Sequence, residues 1–169
     1  MQEREQRLTM RILATWRTLC RGSLAPRRAQ IDPILFGRDW PHCVLVDLDP
    51  HLEDSRLSYV GSKLCDPSWP PLERQPLTEC GDGTLLQAML SSAPRVIAKG
   101  LPISTGGVVT HDGDTVLYRS IVLPLAETNG RIDGLLAAAS FRVIAVTEEI
   151  HPFQDQGTSS DLEIVEAVE

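Results

Sequence analysis

Leu8, Ile12, Trp16 and Leu19 recur three or four positions apart, Leu13 and Cys20 widen that stripe, and Gly22 stands just past its end. The pattern predicts an amphipathic helix within residues 1–24, its apolar face packed on something else. Pro26, Pro33 and Pro41 punctuate the next stretch, which predicts an extended connector with at most a short helix around Ile34 to Arg38. Two β-rich runs follow, Cys43 to Leu48 and Arg56 to Val60, with "DPHLED" between them as a hairpin loop. Residues 61–83 hold four prolines and little periodicity, so any helix there is a single turn.

Periodicity returns at Thr84, a candidate N-cap, with Leu85, Leu86, Met89 and Leu90 forming an apolar stripe before Pro94 ends the helix. Three strands are then predicted. Leu101 to Thr110 leads into an "HDGD" turn, Thr115 to Leu125 follows, and Asn129-Gly130 is a strong hairpin signal before Ile132 to Phe141. That last run has no polar face, which is the signature of a strand covered on both sides.

The alanines at 137, 138 and 139 have two physical readings. They leave a cavity for a small apolar or amphipathic ligand, or they let a helix approach closely in a core of ordinary density, and the second is the norm in protein interiors. Tyr118, Ser120 and Val122 share one strand face, while Leu117, Arg119, Ile121 and Leu123 share the other. If the first set faces the helices, Tyr118 and Ser120 can hydrogen-bond a ligand, and the candidate ligand set is Tyr118, Ser120, Val122, Ala137 and Ala139. Otherwise Tyr118 is a half-buried packing residue whose hydroxyl reaches water. Arg28 and Asp32 are expected to form a local ion pair or to cap the connector.

Composition narrows the function classes. The chain has 169 residues, the size of one domain, and no apolar run approaches the ~20 residues that span a bilayer. "MQEREQRLTM" leads into no apolar signal core, so a soluble, cytoplasmic protein away from membranes is expected. Cys20, Cys43, Cys65 and Cys80 form no Cys-x-x-Cys pair and are expected to be free thiols, and His42, Cys43 and His51 fit no common zinc spacing. Net charge is −7, and it is graded: residues 1–42 carry eight Arg against four acids, while residues 143–169 carry seven acids and no Lys or Arg. Nucleic-acid binding, which needs a concentrated basic surface, is not expected. Residues 147–169 read as an acidic, flexible tail that a partner could order. Ser104, His111, Asp112 and Asp114 offer the residue types of a hydrolase triad but follow one another along a strand and turn, with no nucleophile elbow. Thr105-Gly106-Gly107 lacks the Lys and helix of a phosphate loop.

Helix, two strands, short helices and a three-strand meander is the layout of a PAS domain, and specific residues carry the comparison. "PRRAQIDP" after the Trp16 helix resembles the "P-x-R-x-x-I-D-P" pattern of small single-domain PAS proteins best known from alphaproteobacteria. "WPHCVLVDL" is similar to that family's entry into its first strand, "RLSYVGSKL" to its second strand with closing Gly61, and "SIVLPLAETNGRIDGLLAAASF" to its last hairpin. The resemblance covers about residues 8–142. It implies an α+β fold: a PAS-like five-stranded antiparallel sheet with short helices on one face and an N-terminal helix on the other, with a PAS-like domain over residues 25–146. No residue matches the cysteine of a flavin-binding helix or the histidine of a haem-binding one, so neither cofactor is expected. What the resemblance implies of function is a sensory or signalling module acting in trans on a partner protein. The alternative is a ligand-free interaction adaptor, and a small hydrolase is remote. Leu8, Ile12, Trp16 and Leu19 would then serve either helix packing or a homodimer through the N-terminal helix.

Overall fold

The N-terminal stripe forms helix α1, Gln2–Cys20, in a computed structural model that describes residues 2–65, 76–79, 81, 83–111 and 113–144. Beyond it Arg21 and Gly22 take φ of +45° and +88°, which turns the chain away. The short helix expected around Ile34 to Arg38 is present, but the rest of the connector, instead of being extended, is a series of short helical turns. Asp32 Oδ1 accepts the Ile34 N–H at 2.9 Å, and Pro33 occupies the first position of helix α2, Pro33–Phe36, where a missing N–H costs nothing. Gly37, at φ +50°, ends that turn, and Pro41 sits inside a following 3-10 turn, Gly37–His42. Asp32 is therefore a cap. Arg28 pairs instead with Asp47, Nε to Oδ1 3.6 Å.

Five strands follow: β1 Cys43–Asp47, β2 Arg56–Val60, β3 Ile103–His111, β4 Asp114–Ala126 and β5 Ile132–Ile144. All neighbours are antiparallel, in the order β2-β1-β5-β4-β3. Between β2 and β3 lie helices α3, Leu85–Leu90, and α4, Ala93–Lys99. Thr84 caps α3 as expected, its Oγ1 accepting the Gln87 N–H at 3.1 Å. Pro94 does not merely end a helix: it lies in the first turn of α4, where proline's fixed φ favours helix initiation. The Asn129-Gly130 turn closes with the Gly130 N–H on Glu127 O, 3.0 Å, and Gly130 at φ +84°. Gly61 is held to glycine by close approach, because a Cβ there would lie 2.2 Å from Pro41 O.

The sheet has an apolar core on each face. Leu8, Ile12, Trp16 and Leu19 pack with Cys43, Leu45, Ile121, Leu123, Leu136 and Ala138 on one side. On the other, Leu86, Met89, Leu90, Ala93 and Val96 of α3 and α4 pack with Val44, Val46, Val122, Leu135, Ala137 and Ala139. This is the expected α+β, PAS-like plan. The helix stripe is spent within the chain: Ile12 is 1% exposed and Trp16 5%, so those side chains meet no second copy while α1 is docked. The indole N–H of Trp16 donates to Pro124 O of β4 at 2.9 Å, and Arg11 forks onto buried Asp39, Nε to Oδ2 2.7 Å, fixing α1 to the connector. Among the described residues no helix is long and apolar enough to cross a membrane. Residues 147–169, the predicted acidic tail, lie outside the described residues.

Trp16 therefore holds the cover in place through both its ring and its N–H. Trp16→Ala is expected to lower unfolding free energy in urea by about 3–5 kcal/mol. Trp16→Phe keeps an aromatic ring but not the indole N–H, leaves Pro124 O without that donor and should cost about 1–3 kcal/mol. Losses below about 0.5 kcal/mol in both would show that α1 does not stabilise the sheet.

Candidate functional site

The predicted ligand set shares one face. Ser120 pairs with Ala139, Val122 with Ala137 and Tyr118 with Phe141 across β4 and β5, and that face looks toward α3 and α4. Val122, Ala137, Ala139 and Ser120 are all fully buried. Ser120 Oγ shares a hydrogen bond of 2.9 Å with Thr105 Oγ1 on β3, and the Ser104 hydroxyl donates to Ser120 O at 3.0 Å. The alanines divide between the two cores: Ala137 and Ala139 lie toward the short helices, Ala138 toward α1. Small side chains there serve close approach from both sides. Tyr118 is half-buried, its ring lying 3.4 Å from where a Cβ on Gly107 would stand, so it covers the glycine on the neighbouring strand.

An open groove of about 830 Å³ lies instead at the side of α3 and α4. One wall is the β1–β2 loop. Its Asp49 Oδ1 accepts the His51 N–H at 3.0 Å, and its Asp49 N–H donates to the buried Ser55 Oγ at 3.0 Å, which folds Pro50 and Leu52 outward. Leu77 forms part of the lining, tied by its N–H to Ser55 O at 2.9 Å. Leu90, Ala93 and Pro94 supply the opposite wall. Volume and apolar lining suit a small molecule, with His51, Glu53, Thr78 and Gln87 as polar groups at its rim. A second cleft of about 410 Å³ shares Pro50, Leu52 and Pro94 and continues to Ile97, Arg131 and Asp133. Neither space reaches the predicted strand residues. The sequence signals for the groove were faint: an apolar Leu52 in a charged loop and a proline two residues into a helix.

Charge gathers at the second cleft. The Asp133 carboxyl is pushed above the usual carboxylate range, chiefly by burial and then by Glu127, against its own backbone N–H and Arg131, and Asp47 adds to the rise. Its Oδ1 is buried without a hydrogen-bond partner. Burial also pushes up the Cys43 thiol, with Asp39 adding, and that of Cys20 against Arg17. Cys43 Sγ lies 3.4 Å from Asp39 O. His111 pairs with Asp114 across the β3–β4 turn, but Ser104 stands seven residues from His111 along the strand, roughly 23 Å, so the three triad residue types do not come together. Asp112 lies outside the described residues. Among the described residues no three His, Cys, Asp or Glu side chains gather as a metal site.

No family model matches the chain, and no curated protein matches it. Solved structures similar to it include the light state of the blue-light photoreceptor Aureochrome1 LOV, at 20% identity over 60% of this chain and 87% of that chain, with a TM-score of 0.43. The PAS domain of Bordetella pertussis BvgS is 19% identical over 64% of this chain and 79% of that chain, TM-score 0.40. A fungal LOV domain photoreceptor is 17% identical over 65% and 79%, TM-score 0.41.

Two outcomes follow from the packing and the charge. Ala137→Leu overfills the α3–α4 side and is expected to cost about 1–3 kcal/mol in urea unfolding; an unchanged midpoint would mean that a hollow exists there. For Asp133 the folded-state pKa exceeds the unfolded one, so its carboxylate is penalised at every pH above the folded pKa, and the penalty fades as pH falls to the ordinary aspartate value. Asp133→Asn should therefore be more stable than the parent at pH 7, with the two urea midpoints converging on acidification. A gap independent of pH would refute this account.

Proposed function

We propose that the chain is a PAS-like sensory module, binding a small apolar or amphipathic ligand in the groove between the β1–β2 loop and α3–α4 and signalling in trans to a partner protein. One observation carries this reading: the helices that wall the groove and helix α1 pack on opposite faces of the same central strands. Leu90 and Ala93 belong both to the groove and to the core against Val122 and Ala137. Leu123, Leu136 and Ala138, next along those strands, face α1. Movement of α3 or α4 on a ligand therefore reaches α1 through one layer of sheet. The outward side of α1, with Met10, Ala14, Arg17 and Thr18 exposed, is the surface offered to the partner. Neither flavin nor haem enters this reading, on the sequence grounds given above.

A ligand-free adaptor is favoured by a separate observation: the strand face is packed, and the Ser120 hydroxyl is already bonded to Thr105. Ligand release and thermal shift separate the two. A sensor purified from cells should release a small molecule on denaturation, or gain about 2.7 kcal/mol at a hundredfold excess of a ligand from a metabolite panel. That gain should disappear in Leu52→Arg, a change at a part-exposed groove position, and hydrogen exchange in α1 should respond to the ligand only in the parent. Neither release nor any shift leaves the adaptor.

A further inference from the structure

The two edges of the sheet are treated in opposite ways. Edge strand β2 is five residues long, its pairing with β1 is broken by a bulge between Leu45 and Val46, it opens with Arg56, and Pro76 bridges to Arg56 from outside. Short length, bulges, charge and proline are the means by which proteins blunt an edge against pairing. β3 has none of them. It keeps an unbroken register with β4 over nine residue pairs, Ile103–His111, and residues 103–110 carry no charge and no proline. Ser104, Gly106, Gly107, Val108 and Thr110 are exposed, Val108 at 59%. Among the described residues no strand pairs with its outer edge.

The two glycines of β3 differ in how much room they have. Gly106 is explained within the chain, because a Cβ there would come 3.1 Å from Tyr118 O and 3.3 Å from Arg119 Cγ. Gly107 is not: a Cβ would make only ordinary contacts with the Tyr118 ring, and its φ lies outside the left-handed region. Position 107, covered by the Tyr118 ring, therefore has room for a side chain.

We propose that β3 pairs edge to edge with β3 of a second copy of this chain, antiparallel about a two-fold axis at Gly107, joining two five-stranded sheets into one. The strand fits itself in that register. Gly106 of one copy lies opposite Val108 of the other, so the valine fills the space the glycine leaves; Thr105 meets Val109 and Ser104 meets Thr110. Directly opposed residues share a face, and β-branched and hydroxyl pairs of this kind stabilise antiparallel ladders. With no charge from 103 to 110, the two-fold brings no like charges together, although the whole chain carries −7. The contact is isologous and closes at two copies, because it consumes the open edge of each.

Light scattering on the full chain, over a range of concentrations, tests this. The parent is expected to be a dimer. S104K/V108K, at two exposed positions on one face, places lysines in the pairing and should weaken the dimer about a hundredfold, with unchanged far-UV circular dichroism. In G107C the introduced thiol meets its own copy at a separation a disulfide spans, so oxidation should give a covalent dimer whose cross-linked peptide, read by mass spectrometry, joins position 107 to itself. A parent that stays monomeric at every concentration, whatever other strand its edge accepts, overturns the proposal. So does a dimer that survives the lysines, or one that forms with no 107–107 link.

Discussion

Five successive residues of β5, Leu135 to Ala139, are wholly buried, and because side chains alternate across a strand, that burial demands an apolar layer on each face of the sheet. The rest of the architecture answers this demand. β5 sits between β1 and β4, so its backbone is paired on both edges as well. α3 and α4 supply one layer and α1 the other. Without α1, Leu123, Leu136 and Ala138 would face water, so the helix belongs to the core and is not an appendage to it.

The same constraint explains why so much of the fold was legible. A ten-residue run without a polar face, opened by an Asn-Gly turn, reads as a doubly covered strand, and Leu8, Ile12, Trp16 and Leu19 offered a long apolar stripe to cover it. Thr84 and Asn129-Gly130 are local chemistry, and local chemistry reads well from sequence. The connector was legible only in part because proline has two meanings. It forbids a helix interior but favours a helix start, and Pro33 and Pro94 both take the second role. Which meaning applies depends on a neighbouring cap such as Asp32, a side-chain hydrogen bond that apolar periodicity does not register.

The candidate site was less legible for a different reason. Strand alternation correctly gathers Tyr118, Ser120, Val122, Ala137 and Ala139 on one face, but the period says nothing of what fills the space above them. Met89 and Val96, both fully buried, occupy that side. The groove, by contrast, is assembled from Leu52, Leu77 and Pro94, which are remote in sequence and meet only because Ser55 ties the β1–β2 loop to Leu77. No local pattern encodes such a meeting.

Magnitudes limit how α1 could carry a signal. Burying each of Leu8, Ile12, Trp16 and Leu19 contributes roughly 1.5–3 kcal/mol, so releasing the intact helix would cost on the order of 6–12 kcal/mol before the Trp16 and Arg11 contacts are counted. One ligand at a hundredfold excess over its Kd supplies about 2.7 kcal/mol, and only the part of that which differs between two states can shift their balance. Outright undocking of an intact α1 is thus beyond a single small ligand. A slide or tilt that keeps the stripe buried is not, since it exchanges one set of apolar contacts for another of similar area. The alanines favour that kind of motion: at Ala138, and at Ala137 and Ala139 on the opposite face, no large side chain interlocks with the helices above. Tight packing and mobility of the cover are therefore compatible, and a sensor built on this sheet has no need of a hollow beneath it.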